Sequence, residues 1–265
     1  MNFDLHGKVA IVGGASRGLG RGTAEVLARS GAKVAIYARS REPLEKAARE
    51  LSEATGSEVI AIPTDVRSGE AISKLVESTV EHFGRLDIVV PNLAGDSYGA
   101  DVILGSDESW HDDFDLYALS VIRLARAAVP HMRKVGGGSI TNISSCGVHG
   151  VIPEFAMSEV IRLATSGFAK YLSLQVAPDR IRVNSILPGW IEGEAISGHL
   201  EEEAQRLGVT KDELLQETLK LIPLGRYGTA EEVGSVIGFL ASSAGSYITG
   251  TNIRLDGGWS PNPIA

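Results

Sequence analysis

Three glycines, Gly14, Gly18 and Gly20, lie in the run Gly13-Gly14-Ala15-Ser16-Arg17-Gly18-Leu19-Gly20, between a strand-like apolar segment and a helical one. That spacing makes a tight turn with bare backbone N–H groups at a helix N-terminus, where the partial positive charge suits a pyrophosphate. The end of the second strand-like run bears on which dinucleotide. An acid there would accept hydrogen bonds from the ribose hydroxyls, whereas a base would meet a 2′-phosphate. The residues are Ala38 and Arg39, with no acid, and Arg17 lies in the glycine turn itself. Two guanidiniums able to grip a phosphate through paired N–H groups predict NADP(H). Ser145, Cys146 and His149 have the residue types of a nucleophile and its base. His149 is expected instead to line a pocket, and Asp96 to sit in a turn. No metal ligands are assigned.

Such groups need a scaffold, and the chain alternates strand-like and helical patterns. Strands are expected at 8–12, 33–37, 58–62, 87–91, 139–144, 180–187 and 251–255. Helices are expected at 18–30, 42–55, 69–83, 110–132 and 156–177, and from a Thr229 cap to 240. This order makes parallel βαβ units. The predicted fold is a single-domain α/β Rossmann fold over 1–265, a doubly wound seven-stranded parallel sheet with helices on both faces. Thr229 with Glu232 three residues on is a capping box. In the 156–177 helix, Val160, Leu163, Ala164, Gly167, Phe168, Tyr171 and Leu172 follow helical spacing and are expected to form the buried face. A polar connection is expected at 96–109. The insertion at 189–223, with helical stretches at 195–207 and 211–221, is expected to cover a site.

Bulk properties exclude some partners. A net charge of −8 and a pI near 5.3 argue against nucleic acid or an anionic membrane. One cysteine rules out an intramolecular disulfide and suits a reducing compartment. Without an N-terminal apolar stretch of signal-peptide length, or an apolar run near the roughly 18 residues that span a bilayer, the expected location is the cytoplasm.

Further runs fall in order: Asn92-Leu93-Ala94-Gly95, Asn142-Ile143-Ser144-Ser145, Ile181-Arg182-Val183-Asn184, Pro188-Gly189 and Asp256-Gly257-Gly258. With them the chain resembles the short-chain dehydrogenase/reductase family over nearly its whole length, and most of all its 3-oxoacyl-carrier-protein reductase branch. The resemblance implies a cofactor site at Gly14, Ser16, Arg17, Gly18, Leu19, Gly20, Arg39, Asp65, Val66, Asn92, Ala94, Gly95, Arg162, Pro188, Gly189 and Ile191. It implies that Ser145 binds a substrate carbonyl and that Cys146 packs in the core. Where the family has the tyrosine that exchanges the carbonyl proton, this chain has Ser158; four residues later Arg162 replaces a lysine. Tyr117 stands for an asparagine, Leu93 for another, and Gly193 for a threonine that often contacts the nicotinamide.

These exchanges are not conservative. A serine hydroxyl is far less acidic than a phenol and shorter by a ring. Arginine stays protonated and cannot relay a proton, though it can donate to ribose hydroxyls or an oxyanion. The catalytic set expected is therefore Ser145, Tyr117, Ser158 and Arg162, with Tyr117 either supplying the proton beside Arg162 or filling the space of the missing ring. The expected function is an NADP(H)-dependent oxidoreductase for a carbonyl or alcohol with a non-standard proton donor. A nucleotide-binding homologue without turnover, or non-redox carbonyl chemistry, are the alternatives. The family also implies a homotetramer (or homodimer), built through helices 110–132 and 156–177 and the segment 257–265.

Overall fold

Strands that are covered by helices on both faces carry continuous apolar runs rather than alternation, and β1 (Val9–Gly13) is buried throughout. The structure is a computed structural model and describes residues 3–93, 102–152 and 155–261. The other strands are β2 (Lys33–Tyr37), β3 (Val59–Ala61), β4 (Ile88–Val90), β5 (Gly138–Ile143), β6 (Ile181–Pro188) and β7 (Asn252–Leu255). They form one seven-stranded sheet in the order β3-β2-β1-β4-β5-β6-β7. Every pairing is parallel. The helices of the sheet are α1 (Gly18–Arg29), α2 (Arg41–Thr55), α3 (Gly69–Phe83), α4 (Asp107–Phe114), α5 (Ser120–Lys134) and α6 (Ala156–Val176). After β6 come α7 (Glu194–Leu207), α8 (Lys211–Lys220) and α9 (Ala230–Ala241). Ala10 and Val12 of β1 face Leu27, Leu44, Leu51 and Ile237 of α1, α2 and α9. Ile11 faces the opposite layer, with Leu75, Leu124, Ala128 and Ile161 of α3, α5 and α6. The strand order reverses between β1 and β4, which opens a crevice at the carboxyl ends of the strands.

Three expectations need correction. The helix expected at 110–132 starts a turn earlier, because the Ser106 side chain accepts from Ser109 N at 3.2 Å and caps it. It is also not uniform: Asp115–Leu119 forms a π-helical turn between α4 and α5. In α6 the apolar stripe chosen from spacing divides: Phe168 and Leu172 pack against the core, while the other five residues face outward. Val160, Leu163 and Tyr171 are about half exposed or more, while Met157, Ser158, Ile161, Thr165, Ala169 and Ser173 are buried. The helix can turn hydroxyls inward because they bond its own backbone: Thr165 Oγ1 donates to Arg162 O at 2.8 Å, and Ser173 Oγ to Lys170 O at 2.7 Å. Ala94, Gly95, Asp96 and the first part of the connection at 96–109 lie outside the described residues.

Candidate active site

β1 ends at Gly13 and α1 begins at Gly18, and the chain between them turns with φ of +57° at both Gly14 and Gly18. Glycine takes this left-handed conformation without steric cost. A Cβ on Gly20 would strike the carbonyl oxygens of Gly13 and Gly14, so only glycine lets the helix meet the strand this closely. Asn92, just past β4, donates from Nδ2 to Gly13 O at 3.1 Å and ties the turn to the neighbouring strand. α1 has no side-chain cap and no acid in its first turn, which leaves its leading N–H groups and its positive end for an anion. This side-chain-free cradle fits a dinucleotide pyrophosphate. Arg39 is exposed at the end of β2 and Asp65 beyond β3, while Val66 is buried. Arg17 Nη1 donates to Glu194 Oε2 of α7 at 3.1 Å, with both side chains nearly 80% exposed (78% and 80%). An exposed pair of this kind contributes little and is free to exchange for a phosphate.

Ser145 follows β5, and its Oγ accepts from Gly147 N at 3.1 Å. The same hydroxyl donates to Glu159 Oε1 of α6 at 2.5 Å, within the range of a charge-assisted O–H···O bond. Glu159 was absent from the expected set. Ser158 beside it is buried, and its Oγ donates to Phe155 O at 3.0 Å, so it closes the first turn of α6 and does not reach Ser145. Arg162, one turn further, donates from Nη2 to Leu93 O at 3.3 Å. Its Cζ lies 4.5 Å from the centre of the Tyr117 ring. The cation therefore rests on the negative π face of the buried tyrosine, not beside the phenol oxygen. Tyr117 belongs to the π-helical turn, a local distortion that often marks functional sites.

The structure thus groups Ser145, Glu159, Arg162 and Tyr117 and leaves Ser158 out. Burial raises Glu159 above the ordinary carboxylate range, outweighing the Ser145 hydrogen bond and the Arg162 charge, which act in the other direction. Cys146 is buried, and burial, with the charges of Glu159 and Asp256, pushes its thiol up to about 12. It is a core thiol rather than a nucleophile. Glu159 had one trace in the sequence: it is a carboxylate at the start of a helix, immediately after Ser158.

The sequence comparisons agree with this architecture. A family model described as enoyl-(acyl carrier protein) reductase matches residues 14–260. The 3-oxoacyl-(acyl-carrier-protein) reductase of Chlamydia muridarum is 37% identical over 259 residues, covering 97% of this chain and 99% of that protein. The chain belongs to the short-chain dehydrogenase/reductase family. Versicolorin reductase of Emericella nidulans is 36% identical over 259 residues, 97% of each protein. The crystal structure of L-sorbose reductase from Gluconobacter frateurii complexed with NADPH and L-sorbose matches with a TM-score of 0.94 at 33% identity, over 99% of this chain and 100% of that one.

The expected insertion forms a helical cap after β6, and its α7 meets the glycine turn through the Arg17–Glu194 pair. Pro188 ends β6, and a Cβ on Gly189 would meet the Asp256 backbone. Ile191 then bridges to Gly228. α7 and α8 close a small core of Leu200, Ile222 and Tyr227, with Trp190 stacked on Tyr227 at 6.2 Å between ring centres. α8 opens with a capping box of Thr210 and Glu213 that the sequence reading missed. A cleft of about 330 Å³ lies within the cap, lined by Ile196, Leu200, Lys211 and Arg226 among others and not by Ser145. No helix among the described residues is long and apolar enough to cross a membrane.

Proposed function

We propose that the protein is an NADP(H)-dependent oxidoreductase interconverting a carbonyl and an alcohol, with a proton donor other than the family's tyrosine. The observation that carries this reading is the link between the nucleotide cradle and the reaction centre through two adjacent residues. Asn92 bonds Gly13 of the cradle, and Leu93 O accepts from Arg162 of the reaction centre. When bound, the nicotinamide supplies the hydride. Gly14, Ser16, Gly18, Leu19 and Gly20 would hold the pyrophosphate, Arg17 and Arg39 the 2′-phosphate, and Asp65 and Val66 the adenine. Pro188, Gly189 and Ile191 would border the nicotinamide, as would Asn92 and, outside the described residues, Ala94 and Gly95. Ser145 orients the substrate oxygen, and Arg162 donates to the ribose hydroxyls. Tyr117 is assigned a positioning role, its ring face fixing the guanidinium.

Fluorescence titration is expected to show NADPH bound at least about tenfold tighter than NADH, each phosphate–guanidinium contact being a strong charge-assisted one. Joint Arg17→Ala and Arg39→Ala substitution should remove that preference. NADPH absorbance should fall with a member of a panel of ketoses and 3-oxoacyl thioesters, the substrate types in the names of the L-sorbose and 3-oxoacyl-carrier-protein reductases. Tight binding without oxidation across the panel would leave a nucleotide-binding protein. Substrate conversion without cofactor change would instead point to non-redox carbonyl chemistry.

A further inference from the structure

Glu159 stands on the inward side of α6 and is 8% exposed. A carboxyl so placed must either neutralise or be held by partners, because desolvating its charge is costly. Oε1 accepts the Ser145 hydroxyl at 2.5 Å, whereas Oε2 is buried and has no hydrogen-bond partner among the described residues. The nearby guanidinium of Arg162 is engaged elsewhere, with Leu93 O and the Tyr117 ring. The loop after β5 leaves room for the carboxyl only because residue 147 is glycine: a Cβ there would fall on the Glu159 carboxylate. Gly147 N also fixes Ser145 Oγ from the other side. The hydroxyl therefore has one lone pair taken by the backbone, its proton directed at Glu159, and one lone pair left for a substrate.

Resting on the oxidoreductase reading, we propose that Glu159 is the proton reservoir of this site, exchanging a proton with the substrate oxygen through the Ser145 hydroxyl. In the reducing direction the carbonyl carbon gains the hydride, the C=O π bond opens, and the oxygen takes the Ser145 proton. Ser145 Oγ takes the proton of the Glu159 carboxyl in the same exchange, and the resulting carboxylate is reprotonated from water. One carbonyl, one reduced nicotinamide and one proton give one alcohol and one oxidised nicotinamide. Oxidation reverses each transfer, with the Glu159 carboxylate as final acceptor. The 2.5 Å Ser145–Glu159 contact serves both directions, with Ser145 donating to the carboxylate in oxidation. The upward displacement of Glu159 by burial keeps its protonated form available nearer neutrality than an exposed glutamate would be.

The test pairs Glu159→Gln with an infrared titration of the ligand-free protein. A protonated-carboxyl band is expected in the wild type, fading as pH rises above the ordinary carboxylate range, and missing from Glu159→Gln. In turnover, Glu159→Gln should lower kcat about 100-fold or more, the usual worth of a positioned acid or base, with NADPH affinity unchanged. It should also erase the fall of the reduction rate with rising pH, whereas Tyr117→Phe should keep that limb. A wild type without the carboxyl band, or a Glu159→Gln protein with wild-type rate and pH profile, overturns the inference. If no carbonyl oxidises NADPH, the oxidoreductase reading fails by itself, and the infrared titration still decides whether Glu159 holds a proton.

Discussion

At residue 147 a single methyl group should separate folding from chemistry. The atoms nearest an alanine Cβ there are the far end of the Glu159 side chain, which can swing away, so the overpacking cost should be at the low end of the usual range, about 1 kcal/mol. The swing takes the carboxyl off Ser145. Gly147→Ala is therefore expected to keep its melting temperature within a few degrees while kcat drops about 100-fold; calorimetry beside steady-state kinetics reads both. Wild-type kcat in this variant would mean that the Ser145–Glu159 contact is not used. Gly20 behaves differently, because the atoms a Cβ would strike there are backbone carbonyls of the glycine turn. The glycine turn and Ser145 were legible in sequence because each is a local pattern next to an apolar strand. Glu159 was not, since its role depends on a hydroxyl fourteen residues earlier and on a missing side chain opposite.

The elements carry their own electrostatics. At the start of α9, Thr229 and Glu232 form the capping box expected from sequence, and Arg226 adds two further bonds to the carboxylate at 2.6 and 3.0 Å. The Arg226 hydrogen bond first, and the Thr229 backbone N–H second, lower Glu232 from 4.5 to about 2. A depressed carboxyl stabilises the fold above its unfolded value, and that contribution fades as pH falls from about 4.5 toward about 2. The side chain is 43% exposed, so screening trims the ion pair and the cap dominates. Glu232→Gln is expected to cost about 1 kcal/mol at pH 7 and to lose most of that difference below pH 3; urea melts at the two pH values check it. An equal cost at both would assign the effect to packing. Caps of this kind are readable because both partners lie within one turn, while the π-helical turn at Tyr117 left no mark in residue spacing.

On the scale of the whole molecule, the outward stripe of α6 calls for a partner. Val160, Leu163, Tyr171 and Leu174 are 50–72% exposed on one side of one helix, an apolar surface of the sort that marks subunit contacts. We expect sedimentation to show a closed oligomer, a homotetramer or homodimer, that Leu163→Asp with Tyr171→Asp breaks toward monomer. A monomeric wild type would refute this. The same stripe shows where reading in one dimension stops. Periodicity picked Val160, Leu163 and Tyr171 as buried along with Phe168 and Leu172, yet α6 has two faces, and the sheet took the one that joins those last two to small hydroxyls bonded to their own helix. Sequence alone determined the order of strands and helices and the glycine cradle, because those rest on neighbours along the chain and on residue type. Only the tertiary structure decided that Ser158 turns back into its helix, that Arg162 lies on the Tyr117 ring and that Ser145 meets Glu159. The last two contacts join separate elements, and their geometry is set by how closely the packed layers approach.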